Sequence, residues 1–197
     1  LYKNNGNGTF TDVTSIAGVG NGLVQSFQST FIDIDHDGHL DLHVINDRIY
    51  TPNVFYHNNG DGTFLDMSNM WSVDLGIYAM SSSFGDYDRD GDMDLYVTNG
   101  LEGNSLLRND LDDSGIFVDI AVQEGLVVSQ MCWGACWFDH NNNTWPDLYV
   151  ASGMTAYTEI PDVFDSFGYQ PNQFFVNQGA SPMLNASSST PVIDQYS

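Results

Sequence analysis

Asp86, Asp88, Asp90 and Asp94 occupy positions 1, 3, 5 and 9 of a nine-residue stretch whose sixth residue is Gly91. The pattern stands 53 residues earlier as Asp33, Asp35, Asp37, Gly38 and Asp41, and 53 residues later, altered, as Asp139, Asn141, Asn143, Thr144 and Asp147. Carboxylates so spaced repel one another unless a cation lies between them, and a hard divalent cation takes six to eight oxygens at about 2.3–2.6 Å. Alternate residues of a tight turn point inward, glycine permits the bend, and position 7 offers its backbone carbonyl, here from His39, Asp92 or Trp145. An all-oxygen set of this kind predicts calcium. One acidic turn alone reads as a solvated loop, but three in register point to metal. Loops 1 and 2 keep four aspartates each and are expected to be strong sites; the third, with neutral Asn141 and Asn143, is expected to be weaker.

Other chemistry is poorly supplied. No Ser/His/Asp or His/Cys constellation stands apart from the loops, so no catalytic residues are assigned and a non-enzyme is expected. His36 and His140 fall at non-ligand positions and are expected to be exposed turn residues. Cys132 and Cys136, four apart on a strand, lie about 13 Å from each other, too far for a disulfide unless Gly134 allows a bend. Both are expected to fill small buried positions.

The 197 residues, 42% hydrophobic and 13% aromatic, suffice for a folded core. A net charge of −22 comes from 26 acids, 23 of them Asp, against Lys3, Arg48, Arg89 and Arg108. That balance argues against nucleic acid and anionic membrane as partners, because phosphate binding needs clustered bases. No apolar run reaches the roughly 18 residues of a membrane span. The chain opens at Leu1 without Met or a leader-like segment, as expected of a processed product or part of a longer chain.

The loops must be held by strands. Position 12, where a helix-loop-helix calcium site places Glu, is Val44, Val97 or Val150 within β-branched and aromatic runs. Strands are predicted before the loops at 26–32, 79–85 and 132–138. Hairpins with Asn/Asp-Gly turns are predicted at 1–13 and 55–67, with a third copy at 106–120 and a looser one from Phe174. Each unit then reads as four short antiparallel strands at a period of about 50, the pattern of a propeller blade. The expected fold is all-β, about three and a half repeats: a half blade at 1–14, blades at about 24–68, 78–121 and 131–187, and a tail at 188–197. Fewer than four blades do not ordinarily close, so a fragment of a larger propeller is favoured over an open or intermolecular stack. The connection from Ser152 to Asn172 exceeds its counterparts, Asn46 to Asn53 and Asn99 to Asn104, and carries Tyr157, Phe164, Phe167 and Tyr169. It reads equally as a contact surface or as a cover for a blade.

The run from Phe84 to Val97, paired with Asn58-Asn59-Gly60-Asp61-Gly62-Thr63-Phe64, resembles the FG-GAP/VCBS repeat family, best known from the calcium-bearing propeller of integrin α subunits. The resemblance covers about residues 1–187. It implies a propeller of about seven blades, a secreted or cell-surface location, and calcium held by Asp33, Asp35, Asp37, the His39 carbonyl and Asp41, and by Asp86, Asp88, Asp90, the Asp92 carbonyl and Asp94. The third loop, Asp139, Asn141, Asn143, Trp145 and Asp147, departs from the pattern. The function expected is an extracellular module for adhesion, recognition or assembly, with structural calcium and a protein or glycan ligand, or other copies of itself, as partner. The alternatives are a glycan-binding propeller using Trp71, Trp133, Trp137 and Trp145, and an accessory domain of a larger secreted enzyme.

Overall fold

The computed structural model describes residues 1–100, 102–153 and 170–187. Among the described residues the chain is all-β apart from two single-turn helices. Strands β1 (Tyr2–Asn4) and β2 (Phe10–Asp12) form a hairpin, followed by α1 (Thr14–Ala17). Three four-stranded sheets follow: β3 (Ser26–Ile32), β4 (Asp41–Asn46), β5 (Val54–Asn58), β6 (Phe64–Asp66); β7 (Ser82–Gly85), β8 (Asp94–Val97), β9 (Ser105–Asp110), β10 (Ile116–Asp119); and, after α2 (Ala121–Glu124), β11 (Cys132–Phe138), β12 (Asp147–Ser152), β13 (Gln173–Val176), β14 (Leu184–Asn185). Strands neighbour in chain order within every sheet, the antiparallel meander of a propeller blade.

The second strand of the middle blade is buried on both faces, so β8 reads Asp-Leu-Tyr-Val without polar alternation. Its first residue closes the acidic loop, and its partner strands lie on either side: Leu95 faces Phe84 and Leu107. The acidic loop is thus the turn between a blade's first two strands, anchored at its closing end by the best buried backbone in the sheet.

The contacts divide the chain into two compact units. One comprises Leu1–Ile77 with Asp110–Phe117; the other comprises Tyr78–Asn109 with the described residues from Val118 onward. In the first, Ala17, Val19, Leu42 and Tyr56 form a core cluster. In the second, Tyr87, Tyr96, Leu106, Leu126, Leu148, Val150 and Phe175 do so, and the Tyr96 hydroxyl donates to the Leu126 carbonyl at 3.0 Å.

Each hairpin ends in a small repeated device. Asp12, Asp66, Asp119 and Asn185 each accept, through Oδ1, the backbone N–H two residues on, at 3.0 Å. The chain then makes one turn that stops at a left-handed residue: Gly18 after α1, Gly125 after α2, and Ser72 after β6. Single turns of this length carry no hydrophobic periodicity.

His43 on β4 is 1% exposed and stacks on Phe55, ring centroids 5.1 Å apart; burial drives its imidazole from 6.5 down to about 3. The folded form stays neutral where the unfolded chain takes up a proton. This contribution to stability is therefore complete above pH 6.5 and is lost as pH falls toward 3, at about 1.4 kcal/mol per pH unit. Between pH 6.5 and 5, chemical denaturation should show a loss of about 2 kcal/mol that is absent from His43→Phe. The buried Asp41, whose carboxyl burial pushes up, is common to both proteins, so the difference isolates the imidazole. A loss of equal size in His43→Phe would assign the pH dependence to other groups.

Candidate metal centre

The three acidic loops share one backbone path. Position 4 takes a left-handed conformation in each, at His36 (φ 56°), Arg89 (φ 64°) and Asn142 (φ 59°), and so does position 6, at Gly38 (φ 88°), Gly91 (φ 105°) and Thr144 (φ 72°). Position 6 had been expected to bend. The bend at position 4 had no glycine to announce it. Thr144 pays a steric cost at its position, since β-branched residues seldom adopt positive φ.

Position 9 does more than close the loop. Asp41, Asp94 and Asp147 are fully buried. Oδ2 of each accepts the backbone N–H of position 2: Ile34 at 3.2 Å, Tyr87 at 3.0 Å and His140 at 2.9 Å. Oδ1 accepts the N–H of an asparagine in the third strand or just after it: Asn58 at 2.8 Å, Asn109 at 2.9 Å and Asn177 at 2.8 Å. One carboxylate thereby pins the start of the loop and the third strand to the second. Burial pushes the Asp94 carboxyl up to about 8 against the pull of these two N–H groups.

Positions 1, 3 and 9 converge in loop 1, and positions 1, 3 and 5 in loop 2. Ligand oxygens of Asp33, Asp35 and Asp41, and of Asp86, Asp88 and Asp90, lie within 4.8 Å of one another. Backbone N–H groups supply part of the compensation: Gly38 donates to Asp33 Oδ2 at 3.1 Å, His39 to Asp37 Oδ1 at 2.8 Å, and Asp92 to Asp90 Oδ1 at 2.9 Å. Asp33 Oδ1 and Asp86 Oδ1 are left buried with no hydrogen-bond partner. An orphaned buried carboxylate oxygen costs several kcal/mol unless a cation satisfies it. Burial, then the neighbouring Asp90, also pushes the Asp88 carboxyl up. Both loops therefore fit a divalent cation.

Loop 3 satisfies itself. Asp139 spends both oxygens on backbone N–H groups, Oδ1 on Asn143 at 3.1 Å and Oδ2 on Thr144 at 2.7 Å. Asn143 Oδ1 accepts the Trp145 N–H at 2.9 Å, and its Nδ2 amide donates to the Asn177 carbonyl at 3.0 Å. His140 is exposed as expected, yet its Nδ1 bonds to Asp147 Oδ2 and its ring stands edge-on to Phe174.

The structure adds a residue to loop 1. His57, on β5, places Nε2 3.1 Å from Asp35 Oδ2 and 3.8 Å from Asp37 Oδ2. The signal was in the repeat: Lys3, His57 and Arg108 each precede an asparagine at or next to the end of their strand, in a chain with only four Lys and Arg. The hairpin glycines gain a second role. A Cβ on Gly60 would meet the His39 ring at 2.5 Å, and one on Gly179 would meet Trp145 at 2.6 Å, so the position-7 side chain lies on the hairpin turn.

The cysteines divide. Cys132 is buried as expected, whereas Cys136 is exposed. A bulge between Cys132 and Gly134 breaks the alternation of β11, so residues four apart no longer share an environment. Of the tryptophans, Trp71 is buried, Trp137 packs on the second unit's core, and Trp145 has Arg89 5.0 Å from its ring; Trp133 is exposed. The connection from Ser152 to Asn172 is clipped at its ends like its shorter counterparts: Asn53, Asn104 and Asn172 side chains accept from the N–H of Asn46, Asn99 and Ser152. Its aromatic residues, and the tail at 188–197, lie outside the described residues.

The family model for the FG-GAP-like repeat matches residues 1–44 and 33–97. Comparison with curated proteins gave no match.

Proposed function

Through residues 1–97 the chain belongs to the FG-GAP-like repeat family, and we propose that it is a non-catalytic calcium-binding repeat module. Asp33, Asp35, Asp37, Asp41 and the His39 carbonyl would hold one ion, and Asp86, Asp88, Asp90, Asp94 and the Asp92 carbonyl a second. The observation that carries this reading is the pair of buried, unpartnered oxygens at position 1 of both loops. Calcium supplies a fixed charge there that lets close carboxylates stay ionised and ties the first two strands of a blade together.

Millimolar calcium is an extracellular condition, and a secreted or cell-surface module for adhesion, recognition or assembly is the setting in which such sites stay filled. Among the described residues no helix is long and apolar enough to cross a membrane. A glycan-binding role for the tryptophans has less support, because Trp71, Trp137 and Trp145 are engaged by their own chain.

Calcium titration of the stripped protein by calorimetry should give two strong sites and one weaker. Loop 3 should empty first as calcium falls, since Asn141 and Asn143 halve its charge and Asp139 is already satisfied by N–H groups. Asp88→Ala should remove one strong site while Asn141→Ala leaves both. Binding of no calcium by the folded protein would end the reading; a third site that empties last would overturn the ranking.

A further inference from the structure

The residue before the asparagine of the third strand differs in each blade. His57 faces loop 1; the charge of Arg108 acts on Asp88 of loop 2; and Val176 packs with Phe174 and Tyr149 in the blade whose loop carries neutral Asn141 and Asn143. A basic residue type is thus supplied where the loop is acidic and omitted where it is not. His57 and Arg108 are nevertheless unlike in chemistry, because a guanidinium cannot ligate a metal and a neutral imidazole can.

Oxygen and nitrogen ligands of Asp35, Asp37 and His57 lie within 4.8 Å of one another. Nε2 faces Asp35 and Asp37, while Nδ1 is turned toward the buried Asp41 Oδ1 at 4.0 Å and the ring tilts against Trp71 with centroids 5.7 Å apart. Asp33 Oδ1, buried and without a partner, belongs to the acid trio that shares Asp35. One imidazole nitrogen with carboxylate oxygens suits zinc, for which three protein ligands and an open position are a common set, whereas calcium takes oxygen alone.

We propose that loop 1, unlike loop 2, is a mixed nitrogen and oxygen site that takes zinc through His57 Nε2, Asp35 and Asp37, in competition with calcium. This rests on loop 1 being a cation site at all. The two loops then differ in selectivity: loop 2 keeps to hard cations, and loop 1 responds also to a borderline one.

The test uses the full chain stripped of metal, titrated with zinc and, separately, with calcium, and with cobalt as a spectroscopic substitute for zinc. The wild type should bind one zinc that calcium displaces, and cobalt should show absorption bands of a site with a nitrogen ligand. His57→Gln should lower zinc affinity at least about tenfold, the scale of losing even an outer partner of a metal ligand. His36→Gln, removing an exposed imidazole, should leave zinc binding intact. If calcium binds and His57→Gln leaves zinc affinity and the cobalt spectrum unchanged, the proposal is wrong and the calcium reading stands. If zinc binds through His57 and calcium does not bind, the proposal stands and the calcium reading falls. Loss of zinc binding in His36→Gln with retention in His57→Gln would place the site elsewhere and overturn it.

Discussion

Stripping calcium with excess chelator should lower the melting temperature of the chain by about 10–20 °C. With dissociation constants of tens of micromolar and millimolar calcium, each site contributes about 2–3 kcal/mol by mass action. For a chain of this size, each kcal/mol moves the midpoint by about 2–4 °C, so two sites give the stated range. The physical source is local. Without the ion, Asp86, Asp88 and Asp90 face one another within 4.8 Å, and Asp86 Oδ1 stays buried without a partner. Loop 1 lies in one compact unit and loop 2 in the other, so both units should lose stability. Calorimetric melts with and without chelator, with metal content verified, decide it: an unchanged melt after complete removal would sink structural calcium.

How much of this could be read beforehand depends on whether a residue announced its role through a period. The strands at 26–32 and 132–138 were legible to the residue because loop, strand and hairpin recur at one spacing; β7, expected from Ala79, starts only at Ser82. The convergence of the loop carboxylates was legible because alternate residues of a tight turn point inward. The left-handed bend at position 4 was not, since His36, Arg89 and Asn142 share no side-chain property that requires it. Cys136 was misplaced because a bulge is a property of paired strands, invisible in the single strand 132–138. The hairpin glycines look like turn residues and nothing more until the ring of His39 or Trp145 is found lying on them. His57 was overlooked because its basic character had to be compared with Lys3 and Arg108 in other repeats, whereas attention to acids alone passes it by.

The position-9 aspartate was foreseen as a ligand; the hydrogen bonds it accepts add a mechanical role, and this gives the second strong prediction. Asp94→Ala removes the acceptors of two backbone N–H groups, Tyr87 at 3.0 Å and Asn109 at 2.9 Å, from a side chain that is 0% exposed. Each stranded N–H costs about 1–3 kcal/mol, so the substitution should destabilise by about 3–5 kcal/mol. Asp94→Asn, which retains one acceptor oxygen, should cost roughly half and serves where the alanine variant does not fold. The loss must persist in chelator, because the hydrogen bonds exist without metal. Asp88→Ala should behave in the opposite way. Its cost is the lost calcium, so in chelator it should be neutral or slightly stabilising, given that burial and Asp90 already oppose ionisation of that carboxyl. Asp147→Ala supplies the control in the loop that least depends on metal: it strands the N–H groups of His140 and Asn177 and should match Asp94→Ala in chelator. Denaturant midpoints of the four variants with and without calcium separate the two roles. If chelator erases the difference between Asp94→Ala and the wild type, position 9 acts only as a ligand, and the latch joining the second and third strands does not stabilise the blade.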